Sequence, residues 1–176
     1  PEGLTSIGRA AFLSCRELTN MIIPDTVTSI GSGAFYECTN LLDINIPDGI
    51  TSISTQLFRG CRSLKTVTVP GSITNIWDEA FADCTNLVSV LFKGNAPVIG
   101  ESIFSSSPRV VSFYLSETTG WSATFGERPA VLWASQVVST DVGFGIQTNG
   151  FNFSVTGATN LPITIDASAS LDDPAW

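Results

Sequence analysis

IGSGAFYECTNL, residues 30–41, returns three more times in the chain, as IGRAAFLSCREL at 7–18, ISTQLFRGCRSL at 53–64 and IWDEAFADCTNL at 76–87. One cysteine, one phenylalanine and two aliphatic residues recur at a single spacing, a pattern that suits a metal site, a disulfide ladder or a packed core. The period is 23 residues: Pro1, Pro24, Pro47 and Pro70 open four units, and Lys93 opens a degenerate fifth. Aligned in columns, the units place Leu4 over Val27, Ile50, Ile73 and Ala96, Ile7 over Ile30, Ile53, Ile76 and Ile99, and Phe12 over Phe35, Phe58, Phe81 and Phe104. Cys15 heads Cys38, Cys61, Cys84 and Ser107, Leu18 heads Leu41, Leu64, Leu87 and Val110, and two last columns start at Met21 and Ile23. A fixed period of roughly 20 to 50 residues marks a solenoid, in which no unit buries its apolar side alone and each stacks on its neighbours. The columns are therefore expected to form the inside of that stack.

Composition agrees with an ordered chain. Of its 176 residues 43% are hydrophobic and 14% charged, too apolar for disorder. No apolar run approaches the roughly 18 residues of a membrane-spanning helix. Eight basic residues against sixteen acidic ones give a formal net charge of −8, which argues against a nucleic-acid partner, since phosphate backbones are held by clustered Lys and Arg. The chain opens on Pro1 without an initiator Met or signal peptide, as a processed chain would, and its targeting signal is not legible.

Zinc asks for ligands close in sequence, yet the chain has no histidine, and its cysteines are 23 residues apart at the nearest. No metal or other cofactor is expected. For a disulfide, the separation of about 4.8 Å between stacked strands falls inside the range that bridged Cα atoms span. In an in-register parallel stack, however, neighbouring Cβ atoms point the same way, and a free cysteine behaves as a small buried hydrophobe. Cys15, Cys38, Cys61 and Cys84 are thus expected to be unpaired core thiols, with Ser107 a packing column relaxing at the end of the stack.

Within each unit LKTVTVP, residues 64–70, alternates apolar and β-branched polar residues as a strand does, and the proline ends its ladder. VTSIG-type segments form a second extended piece, and SGAFYEC suggests a single helical turn on the convex side. The expected fold class is α/β, β-rich: a solenoid of 23-residue repeats (1–23, 24–46, 47–69, 70–92 and 93–115), then a small all-β module. The recurring pattern P-x-x-[LVI]-T-[SN]-I-x-x-x-[AL]-F-x-x-C-x-x-L resembles the BspA-like, or treponemal-type, leucine-rich repeat of bacterial surface and secreted proteins, strongly over 1–92 and weakly over 93–115. The resemblance implies an extracellular solenoid used for adhesion or protein binding, with protein partners (matrix, cell-surface or self) and no catalytic residues to carry over.

Any binding would be read on the strand face. With the 23-residue period extended throughout, its outward rows are Asn20, Asp43, Thr66, Ser89, Ser112 and Ile22, Asn45, Thr68, Leu91, Tyr114. Asp43, Asn45, Thr66 and Thr68 supply polar contacts, while Leu91 and Tyr114, with Phe92 or Trp77 nearby, supply an aromatic anchor of the kind interface hot spots favour. The alternative is a solvated sheet face. Residues 116–133 break the period and carry Trp121, Phe125, Pro129 and Trp133, which suits a cap over the last coil. On GFNFSVTGATNLPITIDASASLDDPAW, residues 150–176, the chain from about 134 is similar to a small β-sandwich module that follows such repeats in some secreted bacterial proteins. Asn149-Gly150 marks a hairpin there, LPITIDASAS a third strand, and DPAW at the end a module that stops early.

A first coil without a cap and an unfinished sandwich would leave two open ends, at Leu4, Ile7 and Phe12 and at Ile163, Ile165 and Trp176, so head-to-tail assembly into a filament is the second expectation. No enzyme is expected: without histidine there is no ordinary nucleophile–histidine arrangement. The carboxylates Asp25, Asp48, Asp78 and Glu79 are candidates for acid–base work, and Asp166 and Asp172-Asp173 for weak calcium binding.

Overall fold

Each repeat alternates apolar with polar residues in two short stretches, and there the chain becomes strand. The computed structural model describes residues 3–133, together with 154–155 and 163–164. The chain divides into two units, residues 1–135 and 136–176. In the first, successive coils carry β1 (Ser6–Ile7) and β2 (Asn20–Met21), β3 (Ser29–Ile30) and β4 (Asp43–Ile44), β5 (Ser52–Ile53) and β6 (Thr66–Val69), β7 (Asn75–Ile76) and β8 (Ser89–Phe92), β9 (Val98–Ile99) and β10 (Val111–Leu115). A hairpin of β11 (Thr124–Phe125) and β12 (Arg128–Trp133) follows. All ladders between coils are parallel, and Ser6 opposite Ser29, Asn20 opposite Asp43, Ser52 opposite Asn75 and Thr66 opposite Ser89 reproduce the 23-residue period.

The segment expected to be a helical turn is not one, and no residue among those described is helical. The reason lies in where its N–H groups go. Phe12, Phe35, Phe58 and Phe81 donate to the carbonyls of Ala34, Leu57, Ala80 and Ile103, one coil further on, at 2.8–3.1 Å. Those donors are not free for the i−4 bonds of a helix. The residues two before and two after each phenylalanine also donate forward and hold left-handed φ, as at Glu79 (54°) and Asp83 (58°). Gly33 and Gly60, at φ of 61° and 75°, meet that demand without a Cβ penalty. The α/β label is thus replaced by β-solenoid.

Inside, Phe12, Phe35, Phe58, Phe81 and Phe104 stack at centroid distances of 5.2, 5.8, 5.4 and 5.8 Å. The cysteine column is unpaired and also hydrogen-bonded. Cys38, Cys61 and Cys84 donate their S–H to the carbonyls of Phe12, Phe35 and Phe58 at 3.0, 3.2 and 3.0 Å. Ser107 continues this ladder instead of relaxing it: fully buried, its hydroxyl donates to Phe81 O at 2.8 Å and accepts the Cys84 N–H at 2.9 Å. Burial pushes the Cys38 thiol up to about 11 and the Cys84 thiol up to about 12, and raises Cys61 as well. Cys15, expected in the core with the others, is instead exposed in the first coil. At the other end Ile99 is exposed, because among the described residues β9 ends its ladder.

Within the five coils the strand register departs from the period at β10. Val110 keeps the 23-residue spacing to Leu87, and both are buried, but Val111 pairs with Ser89 and Tyr114 with Phe92. The fifth coil is therefore one residue short at the start of β10. Side chains alternate with a period of two along a strand, so the slip moves every later residue to the opposite face. Ser112, expected outside, is fully buried, and Tyr114 turns inward onto the core.

In the second unit β13 (Ser154–Val155) pairs antiparallel with β14 (Ile163–Thr164), Ser154 opposite Thr164. The expected Asn149-Gly150 turn, Ile165, Asp166, Asp172-Asp173 and Trp176 lie outside the described residues.

Candidate binding face

β2 pairs with β4 and β6 with β8, in two sheets, and β4 lies beside β6, so the outer faces of the four strands adjoin. Asn20, Ile22, Asp43, Asn45, Thr66 and Thr68 are exposed on it, and Ser89 and Leu91 are half-buried. Ile22 stands out at 87% exposure. The polar residues of this row do not all remain available. Asn45 uses its amide within the fold: its Oδ1 accepts the Ile23 N–H at 2.6 Å and its Nδ2 donates to Ile23 O at 2.9 Å. The β2–β4 ladder ends at Met21 and Ile44, and the Asn45 side chain extends it by one peptide unit. Asp43, Thr66 and Thr68 make no such internal bond among the described residues.

The expected aromatic anchor is absent from this surface. Phe92 is buried, and Trp77, half-exposed, follows β7 in the other ladder. Tyr114 lies flat on Trp121, with centroids 4.9 Å apart and planes 3° from parallel. The residue that takes Leu91's row in the fifth coil is Phe113, itself 4% exposed and set edge-on to Trp133 at 5.7 Å.

Within 116–133, expected as a cap, the aromatic side chains pack on the last coils. Trp121 meets Phe92 at 4.9 Å and Phe125 at 5.1 Å, and Phe125 meets Phe104 at 6.5 Å. The turn after Phe125 passes so close to the core that a Cβ on Gly126 would meet Ile103 side-chain atoms at 2.7 Å, so only glycine fits. The end-coil candidates Leu4 and Phe12 are half-buried and Ile7 buried, whereas Ile163 falls in β14 of the second unit.

The candidate carboxylates are occupied or apart. Asp78 Oδ1 accepts the Glu101 N–H at 2.8 Å, and Glu79 pairs with Arg59, which also reaches Asp83 at 3.1 Å. Asp25 and Asp48 line a shallow depression beside Pro47 and Gly49. Among the described residues no group of three His, Cys, Asp or Glu side chains is placed to hold a metal ion.

The family model described as BspA type leucine rich repeat region matches residues 5–122 in six copies. Among solved structures, a leucine rich cell surface protein from Faecalibacterium prausnitzii A2-165 is 38% identical over 69% of this chain and 31% of its own, with a TM-score of 0.61. The leucine rich repeat protein of T. pallidum is 30% identical over 65% of this chain and 54% of its own, with a TM-score of 0.59. The chain thus spans about a third of the first relative and about half of the second. No curated protein matches it. The match covers about two thirds of the chain and nearly the whole repeat region, and the chain belongs to the BspA type leucine-rich repeat family.

Proposed function

We propose that the chain is an extracellular, non-enzymatic binding module that engages protein partners, in adhesion or recognition, through the outer face of β2, β4, β6 and β8. Leucine-rich repeat proteins of this family generally bind proteins, and one relative is described as a cell surface protein. The observation that carries the strand-face assignment is the mixture on that surface. Exposed Asp43, Thr66 and Thr68, free of internal bonds among the described residues, sit between Ile22 at one end and Leu91 at the other. A polar field with apolar ends suits a protein interface, where apolar contact supplies affinity and polar groups supply register. Among the described residues no helix is long and apolar enough to cross a membrane.

The test is a panel of immobilised extracellular-matrix and cell-surface proteins, probed with the wild-type chain and with Thr68→Arg, Ile22→Asp and Leu91→Asp variants. A bound partner that is lost with these substitutions supports the face. Binding that survives all three places the interface elsewhere. The mass of the chain across a concentration series, measured in parallel, reads the second possibility: a concentration-dependent increase marks self-assembly.

A further inference from the structure

Ser102, Phe104 and Ser106 occupy in the fifth coil the places of Glu79, Phe81 and Asp83 in the fourth. In the fourth coil these three N–H groups donate to Glu101 O, Ile103 O and Ser105 O at 3.0, 2.9 and 2.8 Å. The same triplet of bonds joins the second coil to the third, from Gly33, Phe35 and Glu37, and the third to the fourth, from Gln56, Phe58 and Gly60. After the fifth coil the chain enters β11 and β12 instead of repeating the turn. Among the described residues nothing accepts from the N–H groups of Ser102, Phe104 or Ser106. They lie along a groove of about 510 Å³ whose opposite wall is Gly126, Glu127 and Arg128. The Arg128 Nε is buried there without an acceptor, while its Nη2 donates to Phe104 O at 3.3 Å.

We propose that this groove docks an extended segment of a protein partner, which supplies the carbonyls that a sixth turn would have supplied. A row of unpaired backbone N–H groups is what edge recognition uses: main-chain bonds hold the segment and side-chain pockets select it. The spacing identifies a polypeptide. In each earlier coil the three donors reach alternate residues of a single passing chain, so they stand side by side, and one phosphate or carboxylate is too small to meet them all. The charge narrows the partner further. Glu101 and Glu127 against Arg128 leave the walls one charge negative, which favours a neutral or basic segment. The site is separate from the outer strand face and does not depend on that face binding anything.

Amide exchange and NMR titration of the full chain test this. The probe is a peptide of residues 53–64, ISTQLFRGCRSL with Cys61 replaced by serine, added in trans. Within the fold its Thr55, Leu57 and Arg59 carbonyls accept one such donor triplet, and it carries two arginines. In the free chain the amides of 102, 104 and 106 are expected to exchange at least about tenfold faster than those of 79, 81 and 83. Adding the peptide should shift them and slow their exchange at least about tenfold, also in Thr68→Arg, and more weakly in Glu127→Lys. Free amides already as protected as those of 79, 81 and 83 would overturn the proposal. So would a peptide that shifts only strand-face residues or nothing, or inorganic phosphate producing the same shifts, which would mark an anion site.

Discussion

Coil three and coil five carry nearly the same column residues and yet present different surfaces. Phe58 and Phe104 are both buried, and Cys61 and Ser107 both donate to a carbonyl of the coil before. What differs is the neighbour. Coil three is bounded on both sides by copies of its own path, so its donors are used and its strand keeps the 23-residue register. Coil five is bounded by a hairpin, loses one residue before β10, and leaves three donors open. In a solenoid the identity of a position is thus set by the adjoining coil as much as by its own residue.

The largest expected effect sharpens this contrast between the interior and an end. Phe58→Ala removes a ring stacked on both sides and should lower unfolding stability by about 3–5 kcal/mol. Phe12→Ala, at a half-buried ring stacked on one side, should lower it by roughly half as much or less. Denaturant unfolding of both variants measures this, and equal losses would break the interior–end distinction.

Next comes the register slip. Tyr114→Ala should lower stability by about 2–4 kcal/mol, the sum of lost burial and of the Trp121 stack, with a change in tryptophan fluorescence. Leu91→Ala, half-buried on the outer face, should lower it by about 1 kcal/mol or less. Had the 23-residue period continued, the two positions would share a row and a similar small effect. A Tyr114→Ala change as mild as Leu91→Ala, with fluorescence unmoved, would return Tyr114 to the outside.

A smaller effect separates a scaffold residue from its neighbour in the same row. Asn45→Ala leaves the Ile23 N–H and carbonyl without their partner and should lower stability by about 1–3 kcal/mol. Thr68→Ala, fully outward, should change it by about 0.5 kcal/mol or less. Thermal or denaturant melts compare the two, and similar values would mean that the Asn45 amide contributes no more than a solvated side chain.

The sequence made the stack legible because burial columns at a strict period translate directly into contacts: Ile7, Phe35, Cys38 and Leu64 all lie where periodicity places them. Three features were hidden for physical reasons. The turn around Phe35 resembles a helix in sequence, since its forward hydrogen bonds depend on a coil 22 residues away and not on local spacing. The missing residue before β10 leaves no gap in the sequence, because Val110 and Val111 both suit a strand. Asn45 reads as a surface polar residue, and nothing local reveals that its amide replaces a backbone pair.

The thiol column draws the same interior–end contrast with the least effect at neutral pH. Cys15 is exposed and Cys38, Cys61 and Cys84 are buried, so a native-state thiol reagent should label one cysteine quickly and the other three only on unfolding. Blocking Cys15 should shift stability by about 0.5 kcal/mol or less. Above neutrality the buried column becomes visible. Burial disfavours the thiolate and raises Cys38 from 9.0 to about 11 and Cys84 from 9.0 to about 12, so the unfolded chain sheds those protons first. Their contribution is therefore complete below about pH 9 and is lost as pH rises through 11 to 12. Melting temperatures should be flat from pH 6 to 8 as far as the thiols are concerned and fall beyond pH 9, and a triple Cys→Ser variant at 38, 61 and 84 should fall less steeply. Serine keeps a donor for the same carbonyls, as Ser107 does at the end of the ladder, and has no ionisation in that range. An equally steep fall in the triple variant would assign the alkaline loss to groups other than the column.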